Sequence, residues 1–160
     1  MKISITSGSG TGPTELAAFD DALMKAGTAN FNLIVLSSMI PPGSEVVVSK
    51  DPVVPPGDWG DKLYVVMAEQ RTSQHHQEAW AGIGWVQNAQ TGKGMFVEHH
   101  GHSEEHVTDD IKATLKSLMA GRPDEEFGEI HMQLCNAKCI GEPVCALVVA
   151  AFESSGWSSR

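Results

Sequence analysis

Short apolar runs dominate this chain, and only two stretches carry the spacing of an amphipathic helix. Residues 2–7, 31–37, 45–48, 63–68, 79–86, 94–98, 129–134 and 144–152 read as strands. Pro13, at a first helical position, opens one helix and Gly27 closes it. Its apolar stripe is Leu16, Phe19, Leu23 and Ala26. Ser103 caps the second helix, with Glu104 and Glu105 in the first turn. The stripe there is Val107, Ile111, Leu115, Leu118 and Met119, and Gly121-Arg122-Pro123 ends it. A strand, a helix, five strands, a helix and two strands predict an α+β fold in which two helices cover sheets. The Ser7-Gly8-Ser9-Gly10-Thr11-Gly12 stretch reads as a flexible loop, since it matches neither phosphate-binding glycine pattern. Residues 49–61, rich in Pro and Gly, read as a surface loop. Without a repeat or linker, residues 1–160 form one domain.

Charge narrows the function classes. The formal net charge is -9 and no Lys/Arg cluster interrupts it, which argues against a nucleic-acid partner and favours cationic ligands. The apolar runs are too short to span a bilayer, so no membrane association is expected. The Met1-Lys2-Ile3-Ser4-Ile5-Thr6 start lacks the apolar core of a signal peptide, which predicts a cytoplasmic protein. Cys135, Cys139 and Cys145 are odd in number, so reduced, buried thiols are expected rather than a disulfide. A lone Cys-x3-Cys carries little metal signal, and no metal ligand set is assigned.

Four places can carry chemistry. Ser37 and Ser38 end an apolar strand, directly before Met39-Ile40-Pro41-Pro42, whose prolines stiffen the backbone. The Ser38 hydroxyl can attack the Ser37 carbonyl, and the resulting ester can eliminate to leave a ketone at a new N-terminus. Asp20 falls within the first helix's apolar stripe, whereas Asp21 points away. A buried carboxylate needs a structural partner or a cationic ligand. Asn32, six residues before Ser38, falls on the same strand face if the strand is regular, and can bond backbone or steady an oxyanion. Glu98 ends the run Met95-Phe96-Val97, where desolvation suits a carboxyl to donate a proton. His99, His100, His102 and His106 follow it. His102 and His106 have metal-ligand spacing, but Ser103 as a cap puts His102 outside the helix, so a solvated loop is the plainer reading.

Three patterns together resemble the pyruvoyl-dependent arginine decarboxylase family. They are Ala18-Phe19-Asp20-Asp21-Ala22-Leu23, Asn30-Phe31-Asn32-Leu33-Ile34 through Ser37-Ser38-Met39-Ile40-Pro41-Pro42, and Phe96-Val97-Glu98. The resemblance implies a four-layer αββα sandwich and a homotrimer with sites between subunits. It implies self-cleavage into residues 1–37 and 38–160, with Ser38 becoming the pyruvoyl cofactor. That group would bind the substrate amine as a Schiff base and act as an electron sink while CO2 leaves. Glu98 would return the proton, Asn32 would assist processing, and Asp20 would receive the guanidinium of arginine. Ser37, as the new C-terminus, would stay near the substrate, and agmatine would be the product. The His-rich stretch, Trp59, Trp80 and Trp85 depart from the family pattern and could reshape the pocket, leaving histidine or lysine open as substrates. Two other classes compete: a non-catalytic α/β binding module with an inert Ser pair, and a metal enzyme built on the histidines.

Overall fold

The computed structural model describes residues 1–51 and 53–157; Pro52, within the expected surface loop, and residues 158–160 lie outside them. The elements in order are β1 (Lys2–Thr11), α1 (Glu15–Lys25), β2 (Asn32–Val35), β3 (Met39–Ile40), β4 (Glu45–Val48), β5 (Lys62–Thr72), β6 (Glu78–Gln87), β7 (Gly94–Gly101), α2 (Glu104–Ala120), β8 (His131–Lys138) and β9 (Val144–Ser155). One sheet has the order β2-β5-β9-β1-β4 and the other β3-β7-β6-β8. Among the described residues, only β1–β4 and β2–β5 are parallel pairs.

The two sheets face each other across a core of Ile3, Ile5, Val66, Ile83, Phe96, Val148 and Phe152. Helix α1 covers the outer face of the five-stranded sheet, over Leu63, Val65, Leu147 and Val149. Helix α2 covers the other sheet with Val107, Ile111 and Leu115. The expected four-layer αββα sandwich is therefore present. The second helix follows its sequence closely: Ser103 accepts from His106 N at its start, and Gly121 caps its end. The strand β9, buried on both faces from Val144 to Phe152, lies between β5 and β1 at the middle of its sheet.

The expected Ser7–Gly12 loop is wrong in a revealing way. Strand β1 runs on to Thr11, paired with β9 from Ser4↔Ala151 to Thr11↔Val144. Its glycines are contact points for α1. A Cβ at Gly8 would stand 2.2 Å from Ala22 O, and one at Gly10 would stand 2.0 Å from Ala18 O. Only small residues fit the facing row, so α1 buries Ala18, Ala22 and Ala26 with Leu23. Of the expected stripe, Leu23 and Ala26 are buried and Phe19 packs against the same cluster, whereas Leu16 does not. Leu16 is 67% exposed and Asp20 is exposed too, while Pro13 precedes the true cap, Thr14. Asp21 is the engaged acid: Lys25 Nζ (2.8 Å) and Thr11 N (2.9 Å) both donate to its Oδ2. These bonds, the Lys25 one first, hold its carboxyl below the usual range.

Two further boundaries differ. Strand β7 continues past Glu98 to Gly101, so His99 and His100 lie in a strand rather than a loop. The two-residue strand β3, hidden by the prolines after it, had no apolar run to announce it. All three cysteines are free thiols, and burial first, then the Glu69 charge, pushes the Cys145 thiol up to about 12.

Close helix–strand contact generates a test. Gly8→Ala and Gly10→Ala should each destabilise the fold by roughly 1–3 kcal/mol, the usual cost of overpacking. Gly141→Ala, with open space around it, should stay close to the parent. Urea denaturation of the three variants checks the ranking, and a Gly10→Ala protein as stable as the parent would refute the contact argument.

Candidate active site

The site forms where the chain changes sheets. Strand β2 ends at Val35, and β3 begins at Met39 in the opposite sheet. Leu36 N donates to Val65 O and Phe96 N donates to Ser38 O, each at 2.8 Å, so both ends of the short link are anchored. Ser38 meets these restraints with φ +70°, a left-handed conformation that costs a non-glycine residue about 1–2 kcal/mol. Its hydroxyl donates to Glu98 Oε1 at 2.5 Å. Strand alternation explains the meeting: Phe96 points into the core between sheets, and Glu98, two residues on, shares that face.

Ser37, Ser38 and Glu98 line a cavity of about 390 Å³. Met39, Met95 and Val97 supply apolar wall. His99 lines it from the other face of β7, with Nε2 paired to Thr114 Oγ1 at 2.8 Å. Asp110 stands 4.0 Å from His99 Nδ1 and 3.3 Å from His106 Nε2. Thr114, Leu118 and Arg122 close the wall, and Arg122 Nη1 donates to Leu118 O at 3.0 Å. Sequence reasoning put Leu118 in the buried stripe and Arg122 in the helix terminator, but linked neither of them, nor Thr114, to the site. The signal was their spacing of four, running down α2 and just past its end.

Within one protomer the other candidates stand elsewhere. Asn32 is exposed on β2, with Nδ2 donating to Gly60 O at 2.7 Å, and does not line the Ser38 cavity. The expected shared strand face fails because the chain leaves β2 before Ser38. Asp20, expected in a buried stripe, is also absent from that cavity. The tryptophans do not reshape it: Trp85 is a core residue stacked on His131, Trp80 Nε1 donates to Glu78 Oε2 at 2.8 Å, and Trp59 is 78% exposed beside Asn32. Of the histidines after Glu98, His99 and His106 share Asp110, and the other two have partners of their own. His100 Nδ1 meets Gln70 Oε1 at 2.6 Å, and His102 Nδ1 donates to Glu78 O at 2.8 Å. Among the described residues, no three His, Cys, Asp or Glu side chains stand together as a metal site.

A serine hydroxyl held by a carboxylate, next to a peptide carbonyl, has the parts of a nucleophilic step. Fold and site thus define an α+β sandwich protein with a Ser–Glu pair at the crossover between its sheets. The family model described as pyruvoyl-dependent arginine decarboxylase matches residues 2–155, and the chain belongs to that family. It thereby belongs among the decarboxylases that depend on a pyruvoyl group, which are lyases. A pyruvoyl-dependent arginine decarboxylase of Halobacterium salinarum is 33% identical over 96% of this chain and 95% of its own length. One of Methanococcoides burtonii is 30% identical over 80% of this chain and 76% of its own. One of Picrophilus torridus is 35% identical, but that match spans 64% of this chain and only 57% of the relative. No helix among the described residues is long and apolar enough to cross a membrane.

Proposed function

We propose that this chain cuts itself between Ser37 and Ser38, and that the product decarboxylates L-arginine to agmatine and CO2. The observation that carries this reading is the strained Ser38, its hydroxyl on Glu98 Oε1 at 2.5 Å in an open cavity. Left-handed backbone at a non-glycine residue stores strain that cleavage of the adjoining peptide bond relieves. Glu98 fixes the hydroxyl proton and so leaves an oxygen lone pair free to meet the Ser37 carbonyl carbon. As the ester forms, the Ser37–Ser38 C–N bond breaks and the Ser38 nitrogen takes a proton. Elimination then leaves the Ser37 carboxylate, and one water converts the Ser38 remnant to a ketone with loss of ammonia.

The residues present suit a pyruvoyl group at this position: Ser38 has the required hydroxyl, room beside it, and a carboxyl in contact. The ketone would draw electrons from the substrate's α-carbon as CO2 leaves. Glu98, freed from the Ser38 hydroxyl by that conversion, would hold the proton that returns to the α-carbon.

Asp20 and Asn32 would serve this chemistry from a neighbouring copy in a homotrimer. Their exposure supports that reading. Leu16 (67%) and Met24 (58%) flank Asp20 on α1, and Ile34 (39%) and Val35 (61%) follow Asn32 on β2. Apolar side chains left bare beside two polar candidates fit a surface that a second copy covers. Asp20 would then accept a guanidinium in bidentate fashion.

Three outcomes are expected. Intact mass should show fragments 1–37 and 38–160, whereas Ser38→Ala and Ser38→Gly, lacking the nucleophile, should stay whole; glycine also suits the positive φ, so a misfolded Ala variant does not blunt the test. Cleavage of both variants at the parental rate would rule out Ser38. Glu98→Gln keeps an oxygen for the Ser38 hydroxyl and should cleave, yet lose about 10²–10⁴ in decarboxylation rate. Normal turnover in fully cleaved Glu98→Gln would reject that role. On a panel of arginine, lysine, ornithine and histidine, CO2 release should favour arginine, and Asp20→Asn should lower kcat/KM for arginine by about tenfold or more. Preference for another amino acid, or a normal Asp20→Asn enzyme, would overturn the substrate assignment alone.

A further inference from the structure

Arg122 is the unassigned charge in the Ser38 cavity. Among the described residues it is the sole Lys or Arg lining that space. Its guanidinium has one hydrogen bond, to Leu118 O at 3.0 Å, and no carboxylate within ion-pair distance among the described residues. Asp124, two residues on, is exposed and makes no ion pair with it, and Glu125 is committed elsewhere: Lys93 Nζ lies 2.5 Å from Oε1 and Asn88 Nδ2 3.5 Å from Oε2. A guanidinium in a cavity wall offers paired donors that match a carboxylate's two oxygens. Glu98 lines the same space, but its Oε1 already accepts the Ser38 hydroxyl.

The cavity has a second electrostatic peculiarity. Thr114 and Leu118, from the last two turns of α2, form part of its wall. The C-terminus of a helix carries partial negative charge. Cleavage at Ser37 would release a full negative charge at this pole, in a space already holding the Glu98 carboxyl. Like charges within a few ångströms in a half-buried space repel strongly. The Ser37 residue is exposed to the cavity, and no described residue hydrogen-bonds its carbonyl oxygen.

The geometry points to Arg122 as the residue that receives the carboxylate created at Ser37, holding the cut end in place and separating its charge from Glu98. This rests on the self-cleavage proposed above. A substrate's α-carboxylate has the same chemistry. It is the weaker choice, because a guanidinium stabilises the carboxylate of the ground state, which the reaction must convert to neutral CO2. Arg122 is therefore a positioning residue, idle in the uncut chain and engaged once the chain is cut.

The test compares Arg122→Gln and Arg122→Lys in two backgrounds at equal protein concentration: the self-cleaving chain, and the whole chains Ser38→Gly and Ser38→Ala. Mass spectrometry first establishes which proteins are cut. Melting without substrate should then show Arg122→Gln lowering Tm by roughly 3 °C or more in the cut protein and by less than about 1 °C in either whole chain. Arg122→Lys, which keeps the charge but loses the planar fork, should recover part of the loss. Added salt should narrow the gap between parent and Arg122→Gln in the cut protein. Equal losses in both backgrounds would overturn the inference while leaving self-cleavage intact. So would an Arg122→Gln chain that stays whole, or one that melts like the cut parent and shows only a raised KM for arginine, which would seat the guanidinium on the substrate. A parent chain that never cuts would overturn self-cleavage and the inference together.

Discussion

The site depends on a single crossover. Between Val35 and Met39 the chain leaves one sheet and joins the other, and hydrogen bonds at Leu36 and Ser38 fix both ends of the link. Ordered sheets on each side leave the link little choice, and Ser38 absorbs the mismatch as positive φ. The same placement sets its hydroxyl on Glu98, because β7 is the strand that β3 joins. A register shift of one residue in β7 would send Glu98 to the α2 face and His99 toward Ser38. The β6–β7 ladder, continuous from Trp80↔Gly101 to Gln87↔Gly94, guards against that shift.

A second constraint is the thinness of the α1 contact. Glycines on β1 and alanines on α1 bring helix and sheet backbones close together. That arrangement explains why Ala18 and Ala22 are fully buried while Leu16 and Met24 are bare, with Leu23 and Phe19 filling the flanks of the contact. On α2 the packing is the ordinary kind, with β-branched and leucine side chains filling the space over Gly82 and Gly84.

That contrast also explains what the sequence made legible. Helix α2 was readable in full because its cap, stripe and terminator are each standard chemistry. The Ser37-Ser38 pair and Glu98 were readable as candidates from local pattern, and they do meet in space. Residues 7–12 were not, since glycine needed for close packing looks identical in sequence to glycine needed for a turn. Helix α1 was found, but its buried face was read only in part for the same reason: a periodicity count favours large apolar residues such as Leu16, while the glycine row selects the small Ala18 and Ala22. The strand face expected to be shared by Asn32 and Ser38 failed through an assumption of regular geometry across a segment that changes sheets. Thr114 went unnoticed, and Arg122 was read only as part of the helix terminator, because polar residues beside a buried stripe read as solvated surface unless the opposing wall is known. The assignment of roles to Asp20 and Asn32 came from family resemblance, and composition alone would not have separated them from ordinary surface polar residues.

The topology of the crossover has a further consequence for folding. The segment before Ser38 contributes β1, between β9 and β4, and β2, at the sheet edge on β5. A chain cut there would remain one body, because β1 is laced to β9 over eight residue pairs. The two pieces would nevertheless have been threaded together only while they were one polymer. Once melted, they would have to find each other by diffusion, so what began as a unimolecular search would become a second-order encounter whose success falls with dilution. The ordering is then one-way: assembly first, scission afterwards. A mature protein of this kind would carry a memory of its precursor that its separated strands no longer encode, and its lifetime in use would be governed by how rarely it opens rather than by how well it can refold.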